Sequence, residues 1–276
     1  MIDCHLHLSD IKSFAGNIKE NGVDFTPTGY AKECLKNNVY GIALGMAETD
    51  NGEMPDKLCE PLMGINFCKY PHADYAMGIN PHTFNQTAAE KLESKIKTDK
   101  HLVGIKIYGG YYHFYLTDPI YAPIFELTTK YNLPITFHSG DTFSNKALLK
   151  YAHPLIADEI AQRYPNVKLI LAHMGNPWII DAAEVAHKNP NVYVDISGLY
   201  IGENLKIAAQ DQQIIDFHTL ALKLIHNYHK VLYGSDWPLT PMAPYIDFIK
   251  RIVPEKEWEK VFYRNALNVF TRLNCK

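Results

Sequence analysis

The sequence predicts an α/β protein of one domain spanning residues 1–276, a (β/α)8 barrel of the TIM type with a C-terminal helix. Three observations predict it. Short β-type apolar runs alternate with longer amphipathic ones, which calls for a parallel sheet with helical crossovers. The β-type runs number eight: IDCHLH, VYGIALGMA, YAMGIN, LVGIKIY, LPITFH, VKLILAH, NVYVDIS and KVLYGSD. A length of 276 residues suits closure of eight such units into one barrel better than an open doubly wound sheet.

The helices between these runs carry start signals. Thr26-Pro27 precedes YAKECLKNN, Pro123 opens IFELTTKYN, and Asn176-Pro177 opens WIIDAAEVAHKN. Proline suits a first helical turn, where its missing N–H has no partner to lose. PYIDFIKRI reads as a short last helix before the longer C-terminal one, PEKEWEKVFYRNALNVFTRL. The stretch from Gly52 to Ala73 is irregular and reads as an excursion between the second and third strands. No linker, repeat or low-complexity tract interrupts the chain.

Composition bounds the function. Apolar residues at 47% and charged residues at 21% are a normal globular balance, and the chain is long enough to bury a sizeable core. The net charge is 27 − 30 = −3, with no block of like charge, so neither nucleic acid nor an anionic membrane is an expected partner. No apolar run is long enough for a membrane span. The first residues lack the basic-then-apolar pattern of a signal peptide, so a cytoplasmic location is expected. The five cysteines (Cys4, Cys34, Cys59, Cys68 and Cys275) form no CxxC and read as reduced thiols. Cys59, Cys68 and His72 fit no zinc ribbon or finger spacing. No GxGxxG follows the first strand and no P-loop occurs, which argues against a nucleotide site. The four arginines, Arg163, Arg251, Arg264 and Arg272, fall in helix or tail, so no bidentate anion clamp is expected at a strand end.

The chemistry collects at the strand ends, where parallel barrels carry their sites. The first strand ends in His5 and His7, and the fourth carries Lys106 and Tyr108. The fifth ends at His138, the sixth at His173 and the eighth at Asp236. Period-two alternation points His5 and His7 to one face. Closure makes the first and eighth strands neighbours, bringing Asp236 to the pair, and His138 reaches across a narrow lumen. Three imidazoles and a carboxylate with an open position suit a catalytic divalent metal: zinc, manganese, iron or cobalt. Each residue alone is as well explained as a hydrogen-bonded strand histidine or, for Asp236, a turn former. Together, without an ion, they would leave several costly buried polar groups. Asp3 shares their face and is expected to brace a ligand histidine.

IDCHLHL, GIKIY, ITFHSGD, LILAHMGNPW, NVYVDISG, VLYGSDWP and RNALNVF together resemble the amidohydrolase-related branch (amidohydrolase 2) of the amidohydrolase superfamily. These are TIM-barrel, metal-dependent hydrolases and decarboxylases. The resemblance runs nearly end to end and is weakest over Gly52 to Ala73. It implies metal ligands at His5, His7, His138 and Asp236, and a catalytic histidine at His173. In binuclear relatives a carboxylated lysine on the fourth strand bridges two metals. Here Lys106 is expected to meet the substrate and one ion, most simply zinc, is expected, with carboxylated Lys106 and a second metal as the alternative.

These residues imply a metal-activated water, with Asp236 moving its proton, His173 orienting it or holding an oxyanion, and Lys106 binding a carboxylate or carbonyl. Tyr108, Tyr111, Tyr112, His113 and Trp237 are candidates for an aromatic wall around the substrate. Loop packing explains them equally well. His82 is a weaker candidate. His226 and His229 are better explained by a helix dipole, and His72, His101, His153, His187 and His218 as surface or structural. The favoured activity is hydrolysis of a C–N or C–O bond in a small cyclic amide, lactone or ester. The alternatives are a non-oxidative decarboxylase of an aromatic or muconate-type acid, and a non-catalytic metal-binding scaffold. The expected partner is a small molecule, and a homo-oligomer is compatible with a barrel of this type.

Overall fold

The computed structural model describes residues 1–49, 55–66 and 69–274. Cys68, Cys275 and part of the stretch from Gly52 to Ala73 lie outside them. Among the described residues, eight parallel strands form the barrel: β1 (Ile2–Leu6), β2 (Tyr40–Leu44), β4 (Ala73–Ile79), β5 (Leu102–Ile107), β6 (Ile135–Phe137), β7 (Leu169–Leu171), β8 (Val192–Asp195) and β9 (Val231–Leu232). The order around the sheet follows the chain. A two-residue strand, β3 (Leu62–Met63), pairs antiparallel with the end of β4 and lies off the barrel. It occupies the excursion that the sequence left irregular.

Helices alternate with the strands as expected. They are α1 (Ala15–Glu20), α2 (Pro27–Asn37), α3 (Gln86–Thr98), α4 (Ala122–Tyr131), α5 (Ile156–Arg163), α6 (Ile179–Lys188), α7 (Gly202–Ala208), α8 (Gln212–Leu224), α9 (Met242–Ile252) and α10 (Asn265–Val269). The Thr26 side chain caps α2 by accepting from the Gly29 amide at 3.0 Å, with Pro27 in the first turn. Pro123 sits in the first turn of α4. Pro177 does not open α6, which begins at Ile179 after a separate turn. The C-terminal helix is also not continuous. It runs as a 3-10 turn (Glu255–Glu257), a π turn (Lys260–Arg264) and then α10. Ala266, Val269 and Phe270 from this segment pack with Ile2, Ile42, Val103 and Leu232 of the strands. Among the described residues no helix is long and apolar enough to cross a membrane.

The regular strands β6, β7 and β9 end just before the predicted site residues, although His138 N still donates to Ile107 O of β5 at 2.9 Å. His138, His173 and Asp236 therefore sit just past the regular strands, where the chain turns. The barrel is closed by the chain beyond β9. Cys4 N donates to Tyr233 O at 2.9 Å, Asp236 N to His5 O at 2.7 Å, and His7 N to Trp237 O at 2.7 Å. Asp3 locks this seam. Its Oδ1 accepts from the amides of His5 (3.2 Å) and Ser235 (2.9 Å), one on each side.

Replacing Asp3 with alanine leaves two buried amides without an acceptor. Asp3→Ala is expected to lose about 2–4 kcal/mol of stability by urea unfolding, and Asp3→Asn, which keeps an acceptor oxygen, clearly less.

Candidate active site

At the C-terminal end of the barrel a cavity of about 370 Å³ is lined by His5, His7, Lys106, His138, His173 and Asp236 among others. All six expected chemistry-bearing residues thus reach one space. Their donor atoms do not all meet, however.

His5, His7 and Asp236 converge, with their ligand-type atoms within 4.8 Å of one another. Asp236 Oδ1 lies 3.2 Å from His7 Nε2 and 3.5 Å from His5 Nε2. Yet Asp236 Oδ1 and His5 Nε2 are buried without a hydrogen-bond partner among the described residues. A second group, His5, His173 and Asp195, is equally close. Its carboxylate is already satisfied. Asp195 Oδ2 takes His5 Nδ1 at 3.0 Å, and Oδ1 accepts from His173 N (3.0 Å), Ser197 N (3.1 Å) and Ser197 Oγ (2.5 Å). Orphaned buried atoms cost free energy unless they gain a partner, and satisfied ones do not. The donor set that fits a divalent metal is therefore His5, His7 and Asp236.

His138 stands outside both groups. Its Nε2 lies 3.0 Å from Asp141 O, and its Nδ1 3.2 Å from His173 Nε2. His173 Nδ1 in turn lies 3.0 Å from Ser197 O. Two carbonyls cap the ends of this two-ring chain, so both end nitrogens donate. The bond between the rings needs one proton more.

Electrostatics follow burial. Burial, with the Lys106 charge, pulls the His5 imidazole down to about 3 against the opposing pull of Asp195. It is neutral, as a ligand must be. Burial likewise pushes His138 well below its ordinary value, with His173 and Lys106 adding to it. For Asp236 burial pushes upward, but contact with His7 and the surrounding imidazoles hold it below the usual carboxylate range. Burial lowers Lys106 to about 8, against the attraction of Asp195 and Asp236. Lys106 is 1% exposed and its Nζ has no hydrogen-bond partner among the described residues.

The backbone carries strain at this end of the barrel. His173 (φ 56°), Met174 (φ 48°) and Asp236 (φ 67°) are left-handed, each a cost of about 1–3 kcal/mol for a non-glycine residue. Gly198, at φ 51°, lies so close that a Cβ there would come within 2.6 Å of Asp236 Oδ2.

The aromatic wall is narrower than expected. Tyr108 and Tyr111 line the cavity. Tyr108 also ties two strand ends by donating to Gly45 O at 2.6 Å. Tyr112 and His113 line a separate smaller cavity of about 170 Å³, together with His82. Trp237 is fully buried behind the site against Phe25 and Tyr30. Phe14 and Phe143 complete the wall instead. Ring contacts run from His7 to Phe14 (5.6 Å) and on to Phe143 (5.2 Å), and from Tyr111 to His138 (4.8 Å). The Phe143 amide bonds the Tyr111 hydroxyl at 2.9 Å and joins the two halves.

Asp3 touches no imidazole. The bracing role expected of it belongs to Asp195, with Ser197 beside it. The sequence did offer a signal for Asp195, an acidic residue closing the seventh run, NVYVD. Among the other histidines, His101 pairs with Asp74 at 2.8 Å and His218 is buried against Tyr200 and Phe248, both structural settings.

The class these features define is an eight-stranded parallel barrel with a candidate metal site at its strand ends. The chain belongs to the amidohydrolase family, whose sequence model matches residues 2–272. An uncharacterised TIM-barrel protein of Bordetella bronchiseptica superposes with a TM-score of 0.72 at 15% identity, over 99% of this chain and 98% of its own. A 2,6-dihydroxybenzoate decarboxylase of Rhizobium gives a TM-score of 0.64 at 16% identity, over 98% of each chain. A probable 2-pyrone-4,6-dicarboxylic acid hydrolase of Acinetobacter baumannii, with citric acid bound, gives 0.58 at 16% identity, over 98% of each chain. At these identities the likeness is one of fold. No curated protein matches the chain significantly.

Removing Asp195 frees the His5 ring and the His173 backbone at once. Asp195→Ala is expected to weaken metal affinity by about 10- to 100-fold, read by competition with a chromogenic chelator.

Proposed function

We propose that the chain is a metal-dependent hydrolase acting on a C–N or C–O bond of a small cyclic amide, lactone or ester. The observation that carries this reading is the orphaned pair His5 Nε2 and Asp236 Oδ1, converging with His7 on one point of a cavity wall. His5, His7 and Asp236 would hold the ion. The sequence adds His138 as a fourth ligand, whose ring must first leave the Asp141 carbonyl and His173. Zinc is the expected ion, and the same donor set accepts manganese, iron or cobalt. A divalent ion there supplies a Lewis acid that acidifies water and polarises a carbonyl.

The rest falls to the protein. Asp236, held ionised, takes the proton of the attacking water and delivers it to the leaving nitrogen or oxygen. His173, anchored by its Nδ1–H on the Ser197 carbonyl, turns the Nε2 lone pair to the reacting centre, where it orients the attacking water. Lys106 binds a substrate carboxylate or carbonyl from the buried side. Tyr108 and Tyr111 exclude water on one flank. One ion is the favoured stoichiometry, because Asp195, which a second ion would use, is already fully bonded.

A second reading is a non-oxidative decarboxylase. The buried Lys106 amine favours it, since it would seat the carboxylate that leaves, and a compared structure of the same fold is a decarboxylase. No residue replacement favours a scaffold without catalysis, since every expected ligand position is filled.

Elemental analysis of protein produced with zinc, manganese and iron supplied is expected to give one metal per chain, lost in His5→Ala and His7→Ala. Two equivalents would revive the carboxylated Lys106, and none would sink the metal mechanism. A panel of lactones, cyclic amides and esters in ¹⁸O-water is expected to give labelled product. Label-free product with release of carbon dioxide from aromatic acids would replace hydrolysis with decarboxylation. Asp236→Asn is expected to lower turnover by about 10²- to 10⁴-fold.

A further inference from the structure

We propose that Asp141 sets the specificity of the cavity, selecting small molecules with a carboxylate at one end and a protonated amine at the other. This rests on the cavity being the substrate site. Two independent observations carry it.

The first is Lys106. Its amine is 1% exposed, lacks a hydrogen-bond partner among the described residues, and belongs to the cavity wall. Its ring contact, over Tyr108 at 5.3 Å, gives it no hydrogen bond, and a buried ammonium in that state calls for an anion.

The second is Asp141 itself, a carboxylate on the cavity lining that the proposed chemistry does not use. Its backbone is fixed on both sides. The amide donates to Asn176 O at 2.6 Å, and the carbonyl takes His138 Nε2 at 3.0 Å. Its Oδ1 accepts the Thr142 amide at 2.8 Å. Among the described residues no Lys, Arg or His forms an ion pair with it. Unlike Lys106, Asp141 is exposed, so it marks the solvent side of the cavity.

The cavity therefore carries a buried cation, Lys106, beside the cluster of Asp236 and the histidines, and a separate exposed anion, Asp141, at its mouth. Phe14, Tyr111 and Phe143 supply apolar wall to the same cavity. A dicarboxylate would set its outer charge against Asp141, and a diamine its inner charge against Lys106. Specificity of this kind works by repulsion as much as by attraction. A volume of about 370 Å³ suits a body of small-molecule size, such as one substituted ring.

The test is calorimetric binding of three matched probes to the metal-loaded chain: 4-(aminomethyl)benzoate, 4-methylbenzoate and terephthalate. The aminomethyl compound is expected to bind about two- to fivefold tighter than the methyl compound, with terephthalate weakest. Asp141→Asn is expected to level the three, and Asp141→Lys to put terephthalate first. Lys106→Met is expected to weaken all three together and leave the Asp141 preference in place. Equal affinities in the unmodified chain, or an order that survives Asp141→Lys, would overturn the proposal. These ratios report binding alone, so the hydrolase reading stands or falls separately.

Discussion

The site depends on one carboxylate that never faces the substrate cavity. Asp195 spends both oxygens on its neighbours: His5 Nδ1 on one, and the His173 amide and Ser197 on the other. By accepting from Nδ1 it fixes the tautomer of His5 and leaves Nε2 as the free lone pair. By accepting from the His173 amide it supports a left-handed turn that an unassisted histidine would avoid. A single anion at the end of β8 thereby sets the direction of two rings from β1 and the chain beyond β7.

This explains why so polar a cluster can be buried. The protein meets nearly every hydrogen-bonding demand at the barrel mouth from within, with carbonyls capping the His138–His173 pair and Asp195 bracing His5. Among the atoms left without a partner in the described residues, His5 Nε2, His7 Nδ1, Asp236 Oδ1 and Lys106 Nζ belong to residues that line one cavity. Shared by one cavity, they support the proposed occupants: a cation near the histidines and an anion near the lysine.

Much of this was legible in the sequence. Eight β-type runs gave the barrel, and the rule that barrels work at strand C-termini picked out His5, His7, Lys106, His138, His173 and Asp236, all of which line the cavity. Less legible was what depends on side-chain direction in loops. Trp237 follows Asp236 directly, but the tight turn there sends its ring into the core. Tyr111 and Tyr112 are adjacent, and only the first faces the main cavity. Phe14 and Phe143 come from segments with no periodicity to read. The broken C-terminal helix escaped because its apolar pattern is helical throughout, while only packing on the barrel reveals the 3-10 and π turns.

The left-handed backbone at Asp236 has an evolutionary consequence. Under the proposed mechanism, the work of its carboxylate is what retains a side chain in that costly conformation. In a descendant released from that work, glycine at this position would relax the turn, and drift would run toward a steadier but idle barrel. Stability and activity pull in opposite directions at this residue. Under that mechanism, a relative with glycine here, its histidines intact, would keep the fold and lose the proton transfer.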